Sequence, residues 1–473
     1  MIDIVALRKK VIDLAIQGKL TQQLPEDGSA ENLYAQIQEE KVKLIKEGKI
    51  KKEKLLPPIS DDEVSYEIPS NWKWVRLGSC IELLSGQDFS PEGYNSDGFG
   101  LPYMTGASNI EDGKLIVNRW TEHPKNISCL GDLLLVCKGS GYGKLAINNV
   151  GDVHIARQFM AISAANDLMD LEYVKFYLSG SIMTIKSNGQ GLIPGIDRPS
   201  VLNMFFPLPP LAEQKRIVEK IEEIFVQIDI IDTLQKQYEF DREILKGKII
   251  DAGIRGELTE QLPEDGNAEE LYAQIQEEKV KLIKGGKIKK EKPLPPISED
   301  EIPFEIPKTW LWVRLANLGV TVTGNTPSKS VEEYYGGDYP FYKPADLDMG
   351  RHISIGSETL TKVGINESRF LKAGSILVCC IGTIGKVAII DVDGACNQQI
   401  NALSPLVSDS DYLLFVISGD CFQRQLQMQS RATTVSIIKK SLFDECIVPL
   451  PPLPEQKRIV DKIDALLACI EDV

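Results

Sequence analysis

The sequence predicts an α+β protein: two α/β domains separated by long antiparallel, coiled-coil helices, with pseudo-two-fold symmetry. Three observations carry that prediction. The chain repeats itself at a nearly fixed distance. Each repeat encloses short aliphatic runs that end close to a glycine, the pattern of strands. Between the domains, apolar residues recur at alternating 4-3 spacing, the pattern of a helix that needs a helical partner.

The N-terminal segment 1–70 is read as a helical frame. Its residues 24–54, LPEDGSAENLYAQIQEEKVKLIKEGKIKKEK, return at 262–292 as LPEDGNAEELYAQIQEEKVKLIKGGKIKKEK, a shift of 238. The match runs on through LLPPISDDE and PLPPISEDE to NWKWVRL (71–77) and TWLWVRL (309–315). The first variable domain, 71–208, and the second, 308–450, are diverged copies of one mixed fold. LLLVCKGSGYGKLAI (133–147) lies over SILVCCIGTIGKVAI (375–389), and IARQFMAI (155–162) over CNQQINAL (396–403). LLLV and SILV read as strands, and LEYVKFYLSG and DYLLFVISGD as short helices. PLPPLAEQKRIV (207–218) and PLPPLPEQKRIV (449–460) close the two domains, shifted by 242.

The central frame, 209–307, opens with the 4-3 series: Ile217, Ile221, Ile224, Ile228, Ile231, then Tyr238, Leu245 and Ile249. The C-terminal helix, 451–473, repeats the first part as Ile459, Ile463, Leu466 and Ile470. The N-terminus repeats the last part, with Leu7, Val11 and Leu14 over Leu245, Ile249 and Ala252. One long helix is therefore expected intact, and its copy is split across the chain ends with about one heptad missing. The split copy is expected to lie antiparallel to the intact one, each part against part of its seam.

Composition bounds the function. The 473 residues are 43% hydrophobic and 26% charged, as in a globular protein. No apolar run reaches the ~18 residues of a membrane span. The N-terminus MIDIVALRKK has no apolar core of a leader, and nine cysteines show no CxxC pair. A cytoplasmic protein with reduced thiols and no membrane partner is expected. The net charge of −15 argues against nucleic acid until it is located. Segments 71–206 and 308–448 carry −2 and −1, so the acidity, −12, sits in the frames. A near-neutral domain can still present a basic face. The Lys-rich blocks 41–54 and 279–292 read as solvated helix faces.

Catalytic signatures fail one by one. KGSGYGKL (138–145) and CIGTIGKV (380–387) miss the P-loop spacing, and Leu145 stands where a Mg²⁺-binding hydroxyl belongs. A glycine-bearing turn between strands is the better reading. There is no HExxH, and the only histidines are His123, His154 and His352, so no metal site is expected. Glu213-Gln214-Lys215 and Glu455-Gln456-Lys457 open helices, which fits helix N-terminus chemistry better than a nuclease. No amino-methyltransferase tetrad and no Ser/His/Asp arrangement appears. The chain reads as non-catalytic.

Two variable domains alternating with duplicated frames, PLPPLxEQKRIV after each domain, TGNTPSKS…EYYGGDYPFYKPADL at the start of the second, and GTIGKVAI…NQQINAL within it are similar to the specificity subunits of Type I restriction-modification enzymes. The similarity spans essentially the whole chain. It implies that each variable domain is a target recognition domain reading one half of a bipartite double-stranded DNA sequence. The helical frames would fix the gap and dock two methyltransferase subunits, which restriction subunits then join. It also implies no cofactor on this chain: S-adenosylmethionine, ATP and Mg²⁺ belong to those partners. The first domain departs from the pattern, with GQDF (86–89) for GNTP and GSGYGK for GTIGK.

Bases are read by paired donors and acceptors, Arg to guanine and Asn or Gln to adenine. The polar residues beside the shared glycine turns are the candidates. In the first domain they are Gln87, Thr105, Ser108, Lys138, Ser140, Tyr142, Lys144, Arg157 and Gln158. In the second they are Asn325, Thr326, Lys343, Asp346, Thr383, Lys386, Asn397, Gln398 and Gln399. For any one of them an exposed loop residue or a satisfied buried group competes; the set is favoured because both copies flank Gly86/Gly324 and Gly143/Gly385. Two other readings fit the same residues: a tandem scaffold for protein partners without DNA, and a nuclease with an unrecognised site.

Overall fold

The computed structural model describes residues 1–51, 56–60, 63–64, 66–188, 195–429 and 437–471. Lys52, Lys54 and Val473, which figure in the sequence reading, lie outside them. Contacts divide the chain into two units, Met1–Lys236 and Gln237–Val473.

In the first unit a helix over Ile4–Ile16 starts where the Asp3 carboxylate accepts from Ala6 N at 2.9 Å. This cap satisfies one of the free N–H groups at the helix start. A second helix, Ala30–Lys46, follows Ser29 as its cap. The variable domain begins at the strand Lys73–Arg76, which pairs antiparallel with Phe205–Leu208, from Lys73 opposite Leu208 to Arg76 opposite Phe205. The repeated flanks WVRL and PLPP therefore bind each other and form a neck.

Beyond the neck lies a four-stranded antiparallel sheet in the order Glu82–Ser85, Phe159–Ser163, Leu133–Val136, Leu145–Ile147. A smaller mixed sheet orders Trp120–Thr121, Leu101–Met104, Val153–Ile155 and Ile127–Ser128. The run LLLV shows why it is apolar throughout. Side chains alternate across a strand, so Leu133 and Leu135 enter the core shared with Tyr173, Val174 and Leu178. Leu134 and Val136 face Met104, Val153 and Ile155 on the other side. With both faces covered, no polar position is left. The stretch LEYVKFYLSG lies in the helix Leu171–Asn188.

The second unit repeats this plan. Leu311–Arg314 pairs with Ile447–Leu450 in the same neck. A five-stranded sheet orders Gly319–Thr323, Ile400–Pro405, Ile376–Cys379, Val387–Ile390 and His352–Ile353. Ile376 and Val378 join one core, Leu377 and Cys379 another.

The helix Leu211–Ile254 contributes to both units. In the first, it buries Ile217, Ile221 and Ile228 in a core that also holds Val11 and Ala15. The N-terminal helix runs antiparallel to it: Ile2 exchanges hydrogen bonds with the Gln235 amide at 2.8 and 3.2 Å, Arg8 pairs with Asp229, and Thr21 and Gln23 reach Glu213. In the second unit Ile249, Ile250 and Ile254 meet Ile459 and Ile463 of the helix Leu453–Glu471. Lys246 pairs with Glu471 at 3.6 Å. The expected antiparallel packing holds within each unit. The expected seam is interrupted: Tyr238 and Leu245 are 41% and 47% exposed.

The identical frame residues make identical contacts. Glu213, fully buried, accepts from the Trp72 indole at 2.8 Å and from Gln23 at 3.0 Å. Glu455 does the same with Trp310 at 2.8 Å and Gln261 at 3.0 Å. Gln214 and Gln456 accept from the backbone N–H of Asp170 and Asp409, both at 2.9 Å. Arg216 grips Asp27 with two bonds, and Arg458 grips Asp265. The EQKR run is thus a helix-start lock. One expectation about the frames is corrected. Lys41 and Lys279, inside the Lys-rich blocks, are not solvated. Lys41 donates to the carbonyls of Gly78 and Ile81 at 3.1 and 2.9 Å, and Lys279 donates to that of Ala316 at 2.5 Å.

Candidate functional site

In the first domain four chain reversals converge at one end of the sheets. The loop 86–89 lies on the segment 155–158, where Gln87 N donates to Ile155 O at 2.9 Å. The approach requires glycine: a Cβ on Gly86 would stand 2.1 Å from Ala156 O. The turn 138–144 is tied to 105–110 by Lys144 Nζ, which donates to the carbonyls of Ala107 and Ile110 at 3.2 and 3.0 Å. Cys137 N donates to Gln158 O at 2.7 Å, bringing that turn beside 155–158.

All nine polar residues singled out in this domain lie on these reversals. Gln87, Ser108, Lys138, Ser140, Arg157 and Gln158 are exposed there, as is Lys144. Tyr142 is half-buried. Thr105 is occupied internally, its N–H and hydroxyl donating to Asn109 Oδ1 at 2.8 and 3.1 Å. His154 supports the 86–89 loop from beneath. Its Nδ1 accepts from Asn126 N at 3.2 Å, so Nε2 carries the proton and donates to Gln87 O at 2.8 Å. The ring stacks on Phe89 at 4.4 Å, and burial holds its pKa below the usual histidine range.

The second domain builds the same end from different side chains. Asn325 N donates to Cys396 O at 3.0 Å, and a Cβ on Gly324 would stand 2.2 Å from Asn397 O. Thr383, on the turn after Ile376–Cys379, and Gln398 are exposed, and Gln399 is half-buried. Others among the nine are turned inward. Asp346, expected as a reader, is 3% exposed and accepts from Lys343 N at 2.7 Å and from Ser357 N and Oγ, each at 3.1 Å. Its carboxylate closes a turn, the task Asn109 has in the first domain. Asn397 is 6% exposed and bonded to Gln399. Asn325 Nδ2 donates to Glu367 O at 3.0 Å. Lys343 and Lys386 pair with Glu358 and Asp348.

Gly143 and Gly385 both hold positive φ, +90° and +94°, in turns that join two strands. A Cβ on Gly385 would meet Gln423 Oε1 at 1.9 Å, because the Gln423 amide donates to Gly385 O at 3.0 Å and fastens the turn to the helix behind it.

Sequence reading missed Asp88. Its Oδ2 lies 2.6 Å from Arg157 Nε, and its Oδ1 accepts from Arg157 N at 2.9 Å. The signal was present: Asp88 stands two residues after Gly86, where Thr326 stands after Gly324, and Thr326 donates to Gln398 at 2.6 Å. Among the described residues no group of three or more His, Cys, Asp or Glu is arranged to hold a metal. No described helix is long and apolar enough to cross a membrane.

The surfaces at these turns display hydrogen-bonding groups. Comparison with known proteins places them in context. The family model for the Type I restriction modification DNA specificity domain matches residues 69–239 and 307–472. The chain is 30% identical to the Type I restriction enzyme EcoAI specificity subunit of Escherichia coli, over 98% of this chain and 88% of that one. It is 26% identical to the EcoEI specificity subunit of the same organism, over 92% and 82%. Among solved structures, a chain from a study of complex assembly and conformational transition of the type I R-M system shares the fold with a TM-score of 0.61, at 20% identity over 86% of this chain and 93% of that one. The HsdS subunit from Thermoanaerobacter tengcongensis gives 0.51 at 22% identity, over 87% and 93%. With two matched segments, duplicated frames and two copies of one turn-built surface, the chain belongs to the family of Type I restriction-modification specificity subunits.

Proposed function

We propose that the chain reads a bipartite double-stranded DNA target, one half with each variable domain, and carries no catalytic step itself. The supporting observation is the four-turn surface built twice on the same scaffold with different exposed side chains: Lys138, Ser140, Arg157 and Gln158 in one copy, Thr383 and Gln398 in the other. A duplicated scaffold with unequal side chains is what two different half-sites require. The target recognition domains are taken as 71–208 and 308–450, the frames as 1–70, 209–307 and 451–473. The frames dock two methyltransferase subunits, and restriction subunits join them. S-adenosylmethionine, ATP and Mg²⁺ are supplied on those partners, which perform adenine methylation and cleavage.

The test is binding and methylation by the full chain together with its methyltransferase subunits. Log affinity against log salt should fall steeply, with a slope near −0.9 for each phosphate neutralised. Methylated adenines should map to one two-part sequence. A complex that binds DNA without sequence preference would remove the reading.

A further inference from the structure

Both domains place a two-residue device at one matched position. In the first, Asp88 accepts from the Arg157 backbone N–H at 2.9 Å and forms an ion pair with its side-chain Nε at 2.6 Å. The Arg157 side chain is nevertheless 72% exposed, and among the described residues its two terminal Nη groups have no partner. In the second, the Thr326 hydroxyl donates to Gln398 Oε1 at 2.6 Å, and Gln398 is exposed with Nε2 unpartnered among the described residues. Positions 88 and 326 each stand two residues past the packed glycines Gly86 and Gly324, and 157 and 398 align in the facing segment.

We propose that Arg157 and Gln398 are the base-selecting side chains at this shared position, Arg157 for a guanine and Gln398 for an adenine. Asp88 and Thr326 are the positioning residues that aim them. The inference rests on the DNA reading above and adds which residues choose which base.

The chemistry distinguishes base reading from phosphate binding. A phosphate contact draws on net charge and tolerates a mobile side chain. Here the carboxylate of Asp88 offsets the guanidinium charge and removes rotamer freedom, which weakens a phosphate contact but aims a fork. With the Asp88 carboxylate beside Nε, the Nη1/Nη2 edge is left to present two parallel donors, the match for guanine O6 and N7. Gln398 has no charge to attract phosphate. With one Oε1 lone pair taken by Thr326, the amide still offers an acceptor and a donor on one edge, the match for adenine N6 and N7. The two devices share neutrality, fixed aim and exposure; they differ only in donor–acceptor pattern.

The experiment maps the methylated sequence and the DNA affinity of the full chain with its methyltransferase subunits. The proteins compared are wild type, Arg157→Ala, Arg157→Lys, Asp88→Ala, Gln398→Ala and Thr326→Val. Wild type is expected to require a guanine in one half-site and an adenine in the other at the positions these variants affect. Arg157→Ala should lose the guanine preference at that single position, by ~5–150-fold against the wrong base. Arg157→Lys keeps the charge and can still donate to guanine but lacks the planar fork, so it should lose part of the preference while binding other sequences undiminished. Asp88→Ala should loosen the same position by less and steepen the salt slope by up to ~0.9, since it frees one cation. A purely structural Asp88 would leave that slope unchanged. Gln398→Ala, and more mildly Thr326→Val, should relax one adenine in the other half-site only. Variants that weaken every sequence equally, with base preferences intact, overturn the assignment while the DNA reading stands. A wild-type complex with no sequence preference overturns both.

Discussion

Arg216 and Arg458 each place a guanidinium across an aspartate whose side chain is almost wholly covered: Asp27 is 3% exposed and Asp265 5%. Removing the arginine deletes two charge-assisted hydrogen bonds from that carboxylate. Arg216→Ala and Arg458→Ala should each cost about 1.5–3 kcal/mol, the range for hydrogen bonds to a charged group. Urea unfolding of the two variants is the measurement, and equal losses are expected because the contacts are equal. The hydrogen bonds from arginine hold both aspartates below the usual carboxylate range. Their contribution is therefore complete above about pH 4 and is lost as pH falls through the lower folded value.

His352 behaves in the opposite sense. Its Nδ1 and Nε2 lie 2.8 Å from Asp391 and Asp411, and Arg351 bridges Asp411 and Asp464. Two carboxylates on two ring nitrogens require both N–H groups, hence the cation. Partial burial opposes that charge, but the hydrogen bonds to Asp391 and Asp411 outweigh it, and the pKa is raised. The stabilisation is complete below about pH 6.5 and is lost as pH rises through the folded value. At this degree of exposure it amounts to no more than about 1 kcal/mol. Wild type should exceed His352→Gln in stability at acidic pH, with the gap closing in alkali; a constant gap would show that protonation contributes nothing. Residue type alone did not separate readers from supports. Asp346 and Arg157 look equally polar in sequence, yet one closes a turn and the other stands exposed, because the backbone turns Asp346 toward Lys343 and Ser357.

At the scale of elements, the helix Leu211–Ile254 is the part most open to manipulation. At ~1.5 Å per residue, inserting four residues near Gln235 adds ~6 Å to it. In the proposed function the gap between half-sites should lengthen by one or two base pairs, at ~3.4 Å each, with both half-sites unchanged. Methylation mapping checks this, and an unchanged gap in an active variant removes the ruler role. The insertion also displaces the bonds between Ile2 and Gln235, so a modest stability loss should accompany it. Gly385→Val should damage the second half-site selectively, since a side chain at φ +94° is strained and its Cβ collides with Gln423. Loss of methylation tied to both half-sites equally would mark the turn as purely structural.

The helix, the duplicated strands and the glycine turns were legible because each follows from periodicity or repetition. The break in the seam was legible only in part. Spacing puts Tyr238 and Leu245 on the seam, yet in the first unit the N-terminal helix has reached its first residues by Gln235. In the second unit the described C-terminal helix ends beside Lys246. In the heptad left out of the split copy Tyr238 stays 41% exposed, and Leu245 just beyond it 47%. Which lysines are buried was not legible, because Lys41 and Lys279 meet carbonyls some 40 residues away, beyond any local pattern.

On the scale of the whole molecule, the repeated contacts separate what is constant from what varies. The frame contacts recur in both copies: Arg216 binds Asp27 within the frame, Glu213 binds Trp72 at the domain's edge, and Gln214 accepts from the backbone N–H of Asp170, a contact that does not depend on the side chain there. The base-reading candidates bind within their own domain. Exchanging residues 78–205 for the first domain of another family member should then change one half of the methylated sequence and spare the other. Mapping by sequencing is the measurement, and altered bases in both halves would refute modular reading.

The paired necks have a consequence for how such a protein changes over time. Lys73 stands opposite Leu208 and Arg76 opposite Phe205, so the frame holds each variable domain as a hairpin holds its loop. Closing a loop twice as long costs only ~0.6 kcal/mol more. The neck therefore places little constraint on the length of what it carries, while the frame constrains the face packed on it, where Leu133, Leu135 and Tyr173 share a core with Ile217 and Ile221. In the proposed function a lineage can replace the exposed side chains of one set of turns while that packed face and the turn glycines are kept, and such changes are screened for what they recognise more than for whether the scaffold survives them.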